Sequence, residues 1–310
     1  MRPDPTQAAL ARLDDILLHT PEGRSAFVKA LSAKSNLVVA KAARIIGNAQ
    51  WLELRDELTT VANQLIDRGG EGDKGCTALL ATCRALVAMD HDVPDLYLRG
   101  IRYVQQEPGW GGASDTAVDV RSTCAMGLVN SSHLHKLRDL VPLLVDPAWG
   151  ARAGAIRAIS VVGSEAASLL VRFKMLAGDR DTEVMSECFS AMLAMEGAEG
   201  VKLVSRFVGA SNSEIQEAAI LALGASRRSD AIDLLKASAA RVGDPTLRKI
   251  VLLALSTSRT EAAIDFLLQL VETGPVGASN DAKEALDLHR EDRALQERLQ
   301  TALRARALKG

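Results

Sequence analysis

Three stretches hold residue types that carry out chemistry in other contexts. The first, Gly69-Gly70-Glu71-Gly72-Asp73-Lys74-Gly75, has the composition of a phosphate-cradling loop. That chemistry needs Gly-x4-Gly-Lys followed by Ser or Thr after a strand, so that backbone amides ring the phosphate and the hydroxyl reaches a metal. Here Lys74 is followed by Gly75 and Cys76 and no strand pattern precedes it, so the stretch is expected to be a connector between helices. The second is the pair His133 and His135 on either side of Leu134. Two positions apart on a helix they point about 160° from each other, so they are expected as exposed or capping residues, and no metal is implied. The third is the set Cys76, Cys83, Cys124 and Cys188, which fits reduced and partly buried thiols better than a disulfide framework in a chain of this length. No Ser/His/Asp, Cys/His or paired-carboxylate arrangement can be assigned, so no catalytic residues and no cofactor are expected.

What positions these residues is a repeat. Ala222-Leu223-Gly224-Ala225-Ser226-Arg227 followed by Ala231-Ile232-Asp233-Leu234-Leu235 returns as Ala254-Leu255-Ser256-Thr257-Ser258-Arg259 followed by Ala263-Ile264-Asp265-Phe266-Leu267. Matched residues are 32 positions apart, one helical hairpin. The same small-then-large pair recurs at Ala85-Leu86, Ala125-Met126, Ala158-Ile159, Ala191-Met192 and Ala285-Leu286, with Ile45-Ile46 in that place at the start. The intervals along this series are 40, 40, 33, 33, 31, 32 and 31 residues. Apolar or small residues also recur seven and three positions earlier, as at Ile215 and Ala219, giving each unit one core-facing helical stripe. The small residues allow a neighbouring helix to come close.

Composition agrees. Hydrophobic residues make up 47% of the 310, but aromatics only 3%, a mixture that favours close-packed helices over sheets. A net charge of -2 argues against a general nucleic-acid coat. No apolar run approaches the ~20 residues of a membrane span. The start, Met1-Arg2-Pro3-Asp4-Pro5, lacks the apolar segment of a secretory signal, and the cytoplasm is the expected location.

The helix starts have a mechanism. Asp146-Pro147 and Asp244-Pro245 place a capping oxygen before a proline that needs no amide partner, and Asp181-Thr182 and Ser211-Asn212 fill the same place in other units. The runs Asp244-Pro245-Thr246-Leu247-Arg248…Val251…Leu255 and Asp146-Pro147…Ala151-Arg152…Ala155…Ile159 resemble the HEAT repeat, although Met185 and Gln216 stand where that family often has Arg. The resemblance covers roughly residues 24–290. The Trp…Leu-Gly…Tyr pattern of tetratricopeptide repeats is absent, and the units are too short for three armadillo helices.

The expectation is therefore an all-α, right-handed α-solenoid of about eight antiparallel helical hairpins. Residues 1–310 are expected to form one continuous array. Within it come a capping helix at 5–19, irregular longer repeats with Gly-rich loops over 24–129, regular repeats of 31–33 residues over 130–290, and a capping helix at 290–308. First helices of the pairs are expected to include 50–66, 93–106, 133–144, 229–241 and 261–273. The extra length of the early units falls in Gly69–Gly75 and Glu107–Ala113, two loops expected side by side on one edge with Trp110 and Trp149 close to them.

In stacks of this kind the second helix of each pair lines the concave face, and the residue just before the anchor Ala points away from the core. That position reads Arg44, Arg84, Cys124, Arg157, Ser190, Leu221, Leu253 and Glu284, with Lys41 and Arg121 one turn earlier. A basic stripe thus gives way to Leu221, Ile250 and Leu253. The stripe, the apolar trio and the two Trp suit a protein or peptide with an acidic segment and an apolar anchor, held by a non-enzymatic scaffold through its concave face or its loop edge. The resemblance also implies two rivals: nucleic-acid binding, as in the DNA glycosylases built from HEAT-like repeats, and a chromophore-handling role like that of bilin lyases with such units. An Arg–Asp ladder between adjacent repeats is expected from Arg227, Arg259, Asp233 and Asp265.

Overall fold

The computed structural model describes residues 5–109 and 111–309. They fall into two compact units that meet in the sequence at Val162 and Gly163. The first unit holds helices α1 (Pro5–Asp14), α2 (Pro21–Leu31), α3 (Asn36–Asn48), α4 (Arg55–Asp67), α5 (Thr77–Ala88) and α6 (Pro94–Gly100). It continues with strands β1 (Gln106–Gly109) and β2 (Gly112–Asp115), then α7 (Val118–Asn130), α8 (Lys136–Leu140) and α9 (Trp149–Val162). The second unit is all helical: α10 (Glu165–Ala177), α11 (Thr182–Glu196), α12 (Ala198–Ser205), α13 (Ser213–Ala225), α14 (Ser229–Arg241), α15 (Pro245–Ser258), α16 (Glu261–Thr273), α17 (Val276–Leu286) and α18 (Arg293–Lys309).

In each unit the second helices of successive pairs stack on one another: α3 on α5, α5 on α7 and α7 on α9, then α11 on α13, α13 on α15 and α15 on α17. The recurring small residue at the anchor has a direct cause in this stacking. Gly47 lies two residues after Ile45 and meets the anchor Ala85 of the next helix, where an added Cβ would come within 2.9 Å of the Ala85 Cα. Gly224, two residues after Ala222, meets the next anchor Ala254, and a Cβ there would stand 2.4 Å from the Ala254 carbonyl oxygen. Side chains one position from these contacts, Ile46, Leu86, Leu223 and Leu255, are wholly buried. Each such burial stabilises by about 1.5–3 kcal/mol. The fold is an all-α repeat stack of solenoid type.

The capping residues do what their types require. Asp244 Oδ1 accepts from Thr246 N at 2.9 Å, Asn212 Oδ1 from Glu214 N at 2.9 Å and Ile215 N at 3.1 Å, and Asp146 Oδ1 from Ala148 N at 2.8 Å. Helices α14 and α16 run over the expected residues. Two other expectations are corrected. The helix expected over 93–106 ends at Gly100, and where a Gly-rich loop is expected over 107–113, Gln106–Gly109 pairs with Gly112–Asp115 as the antiparallel strands β1 and β2. The helix expected over 133–144 is reduced to α8 followed by a tight turn, Val141–Val145, in which Pro142 can donate no helical amide bond.

Candidate partner-binding surface

The residue before each anchor does point outward on most second helices. Arg44, Arg84, Arg157, Ser190 and Glu284 are exposed, Leu253 is 37% exposed, and Leu221 and Ile250 are half-buried. Arg84 Nη2 lies 3.2 Å from Asp119 Oδ2, a solvent-exposed pair that leaves its charge accessible. Two members of the expected basic stripe belong elsewhere. Lys41 Nζ is held by Asp14 Oδ2 at 2.6 Å and by the Leu10 carbonyl at 2.8 Å, so it fastens α1 to α3. Arg121 is only 2% exposed. Cys124, at the outward position by register, is also fully buried, because α7 turns that face toward α6 where Gly100 leaves room for the sulfur. Trp149 is 50% exposed at the start of α9, and Trp110 lies outside the described residues.

Arg121 anchors a buried polar network that the sequence did not announce. Its Nη1 lies 2.7 Å from Asp115 Oδ2 and donates to the Tyr103 carbonyl at 2.9 Å, and its Nη2 donates to Asp146 Oδ1 at 3.1 Å. Its Nε is 2.9 Å from Asp146 Oδ2, an ion-pair contact without hydrogen-bond alignment. Burial alone would raise the Asp115 pKa, but the Ala117 amide and the Arg121 guanidinium more than offset it and hold the carboxyl below its ordinary range. The network reaches the other long loop. Buried Asp73 accepts from Ala78 N at 2.8 Å and Leu79 N at 2.9 Å, so it caps α5, and Gln105 Nε2 donates to its carbonyl at 2.9 Å. Glu107 of β1 accepts from Gly75 N at 2.6 Å, Gln105 Nε2 at 2.6 Å and Thr116 Oγ1 at 3.1 Å. The Gly75 amide, first among these donors, holds the Glu107 carboxyl below its usual range. The Gly-rich loop is thus braced by the hairpin, with Lys74 followed by a capping turn rather than a phosphate cradle.

The other residues with chemical potential are quiet. The four cysteines are free and buried. Burial pushes the Cys76 thiol up to about 11 and the Cys188 thiol up to about 12, and the adjoining Cys83 thiol together with burial raises Cys124 as well. Such thiols are poor nucleophiles and poor metal ligands. His133 Nε2 is 2.8 Å from Asp139 Oδ2, and among the described residues no three His, Cys, Asp or Glu side chains converge as a metal site. The expected ladder is corrected too. Asp233 pairs with Lys236 and Asp265 with Arg298, while Arg227 and Arg259 adopt left-handed backbone conformations at helix ends. Other residues about one repeat apart do the bridging, among them Arg248 with Asp281 at 2.6 Å and Lys249 with Glu284 at 2.8 Å. Sequence reading also missed a buried contact across one repeat, Ser256 with His289 at 3.0 Å; the signal was a polar pair 33 residues apart on adjoining helices.

Residues 200–287 match the model of a family described as HEAT repeats. No curated protein matches the chain. Solved structures that resemble it include the complex of CpcE and CpcF of phycocyanin lyase from Nostoc sp. PCC7120, at 15% identity over 94% of this chain and 96% of that one, with a TM-score of 0.36. Human deoxyhypusine hydroxylase in complex with glycerol is 16% identical over 94% of this chain and 92% of its own, with a TM-score of 0.29. An engineered protein is 17% identical over 98% and 92%, with a TM-score of 0.36. Scores this low carry no function from one chain to another. No helix among the described residues is long and apolar enough to cross a membrane.

Proposed function

The chain carries HEAT repeats, and from that premise we propose that it is a non-enzymatic scaffold that holds a protein partner along the outward ridge of its second helices. One observation carries this reading: Arg44, Arg84 and Arg157 stand exposed at the same register position of α3, α5 and α9, on helices whose other faces are buried. Side chains presented at one repeat interval form a surface that an extended acidic segment can follow. Within the second unit, Leu221, Ile250 and Leu253 of its own second helices offer apolar contact. Trp149 adds an exposed aromatic of the type favoured in interface anchors.

The test is affinity capture with the wild-type chain and with the triple variant Arg44→Glu, Arg84→Glu, Arg157→Glu. All three side chains are exposed and Arg84 gives up only its exposed pair with Asp119, so the circular-dichroism melt should shift only slightly. Proteins retained by the wild type and lost from the variant support the scaffold reading; an identical capture profile overturns it. If the variant instead loses salt-sensitive retention of DNA, nucleic acid replaces protein as the partner.

A further inference from the structure

The last repeat contains a cleft of about 700 Å³ between the α15–α16 turn and the start of α18. Ile264, Leu295 and His289 line it and are themselves buried, while Arg259 and Arg290 line it and are exposed. Its lining is mostly polar, with the edges of Ile264 and Leu295 as apolar spots, a form that suits a polar ligand carrying one apolar group.

The chemistry of His289 is fixed by its neighbours. Ser256 Oγ donates its one proton to the Ala285 carbonyl at 2.6 Å, so towards His289 Nε2, 3.0 Å away, it can only accept. The Ser256 carbonyl oxygen, also 3.0 Å from Nε2, can likewise only accept. Nε2 therefore carries the proton, and in the neutral ring Nδ1 presents a lone pair. Among the described residues Nδ1 has no hydrogen-bond partner, although the side chain is only 7% exposed. His289 lines the cleft, so an unpartnered Nδ1 on this side chain is available to a donor from a ligand.

The charged groups around it divide in two. Arg298 is committed to the wall, with Nη1 2.8 Å from Glu261 Oε1 and Nη2 2.5 Å from Asp265 Oδ1. Asp292 is occupied too, capping α18 through Leu295 N at 3.1 Å. Arg259 and Arg290 have no ion-pair partner among the described residues. Glu291, exposed on the rim beside Arg290, sets a limit on the attraction for anions and disfavours a highly charged one.

We propose that this cleft binds a peptide segment bearing a carboxylate. The carboxylate meets Arg259 and Arg290, a backbone N–H donates to His289 Nδ1, and an apolar side chain rests on Ile264 and Leu295. A carboxylate alone would leave the Nδ1 lone pair unmatched, and an apolar segment alone would leave both guanidiniums unused; a peptide satisfies all three. The carboxylate comes from an acidic side chain or from a chain terminus. The site goes beyond the ridge reading, since it lies wholly in the second unit, whereas Arg44, Arg84 and Arg157 belong to the first.

The chain has five histidines, few enough to follow individually by imidazole ¹⁵N NMR, with His289 assigned through His289→Gln. Three peptides serve as probes: N-acetyl Gly-Leu-Asp-Gly amide, N-acetyl Gly-Leu-Gly with a free carboxylate, and N-acetyl Gly-Leu-Asn-Gly amide as the uncharged control. A saturable shift of His289 Nδ1 with either carboxylate peptide, and a much smaller one with the control, is the expected result. The peptide that binds more tightly identifies the source of the carboxylate. Arg259→Ala and Arg290→Ala should each weaken binding about tenfold, the usual effect of removing a charge-assisted hydrogen bond. No shift at His289, or the same shift with all three peptides, overturns the proposal. Both arginines are exposed, so loss of fold does not confuse the readout.

Discussion

The early repeats of the first unit and the late repeats of the second use the same pair of helices but close it differently. Where intervals are 40 residues, the surplus chain stays largely exposed but is tied down: the Gly69–Gly75 loop and the β1–β2 hairpin are held by Asp73, Gln105, Glu107 and Arg121. Where intervals are 31 to 33 residues there is no surplus, and Gly224 against Ala254 and the Arg248–Asp281 pair complete the joint. Inserted length in a repeat thus brings unpaired backbone with it, and that backbone needs polar partners that a tight turn never exposes.

The largest effect that would break this contrast is at Arg121. Arg121→Leu leaves Asp115 and Asp146 facing each other with little solvent, and the expected loss is about 3–5 kcal/mol of stability in chemical denaturation. A loss under about 1 kcal/mol, the range of exposed pairs, would mean the network contributes no more than surface charge. Next comes Gly224→Ala. The added methyl meets backbone that cannot rotate away, so the expected cost is about 1–3 kcal/mol, by the ordinary penalty of overpacking. Full tolerance would show that the late repeats are not limited by close approach.

The smallest effect is a pH dependence. Glu107 and Asp115 have folded pKa values below their ordinary 4.5 and 3.8, so both bind protons less readily folded than unfolded. Their stabilisation is fully present above those ordinary values and is lost as the pH falls through the lower, folded ones. Carboxyl ¹³C titration should therefore find both midpoints displaced downward, with Asp115 moving back up in Arg121→Leu. Midpoints at ordinary values would remove the hairpin's acidic brace from the comparison.

The sequence showed these two regions unequally well. Helices α14 and α16, the Asp244 and Asn212 caps and the outward Arg44, Arg84 and Arg157 follow from periods and side-chain types acting within one or two turns. The β1–β2 hairpin did not follow, because Glu107-Pro108-Gly109 and Gly112-Ala113-Ser114 have no alternating apolar face; a carboxylate on a distant amide holds it. Arg121 looked like a surface cation because its helix register placed it near the ridge. Only the partners Asp115 and Asp146, supplied by a strand and a turn, explain why it lies inside. Similarly, Arg227 and Asp233 recur in step with Arg259 and Asp265, yet a shared period does not make them partners.

The bonds between adjoining repeats span nearly constant chain distances, as in Arg248 with Asp281 and Ser256 with His289. A chain wired in this way has a folding order built into its synthesis. Each pair of helices finds these partners as soon as the next pair has emerged. The hairpin keeps to the same order, since the Gly75 amide meets Glu107 32 residues on and the Arg121 guanidinium meets Asp146 25 residues on.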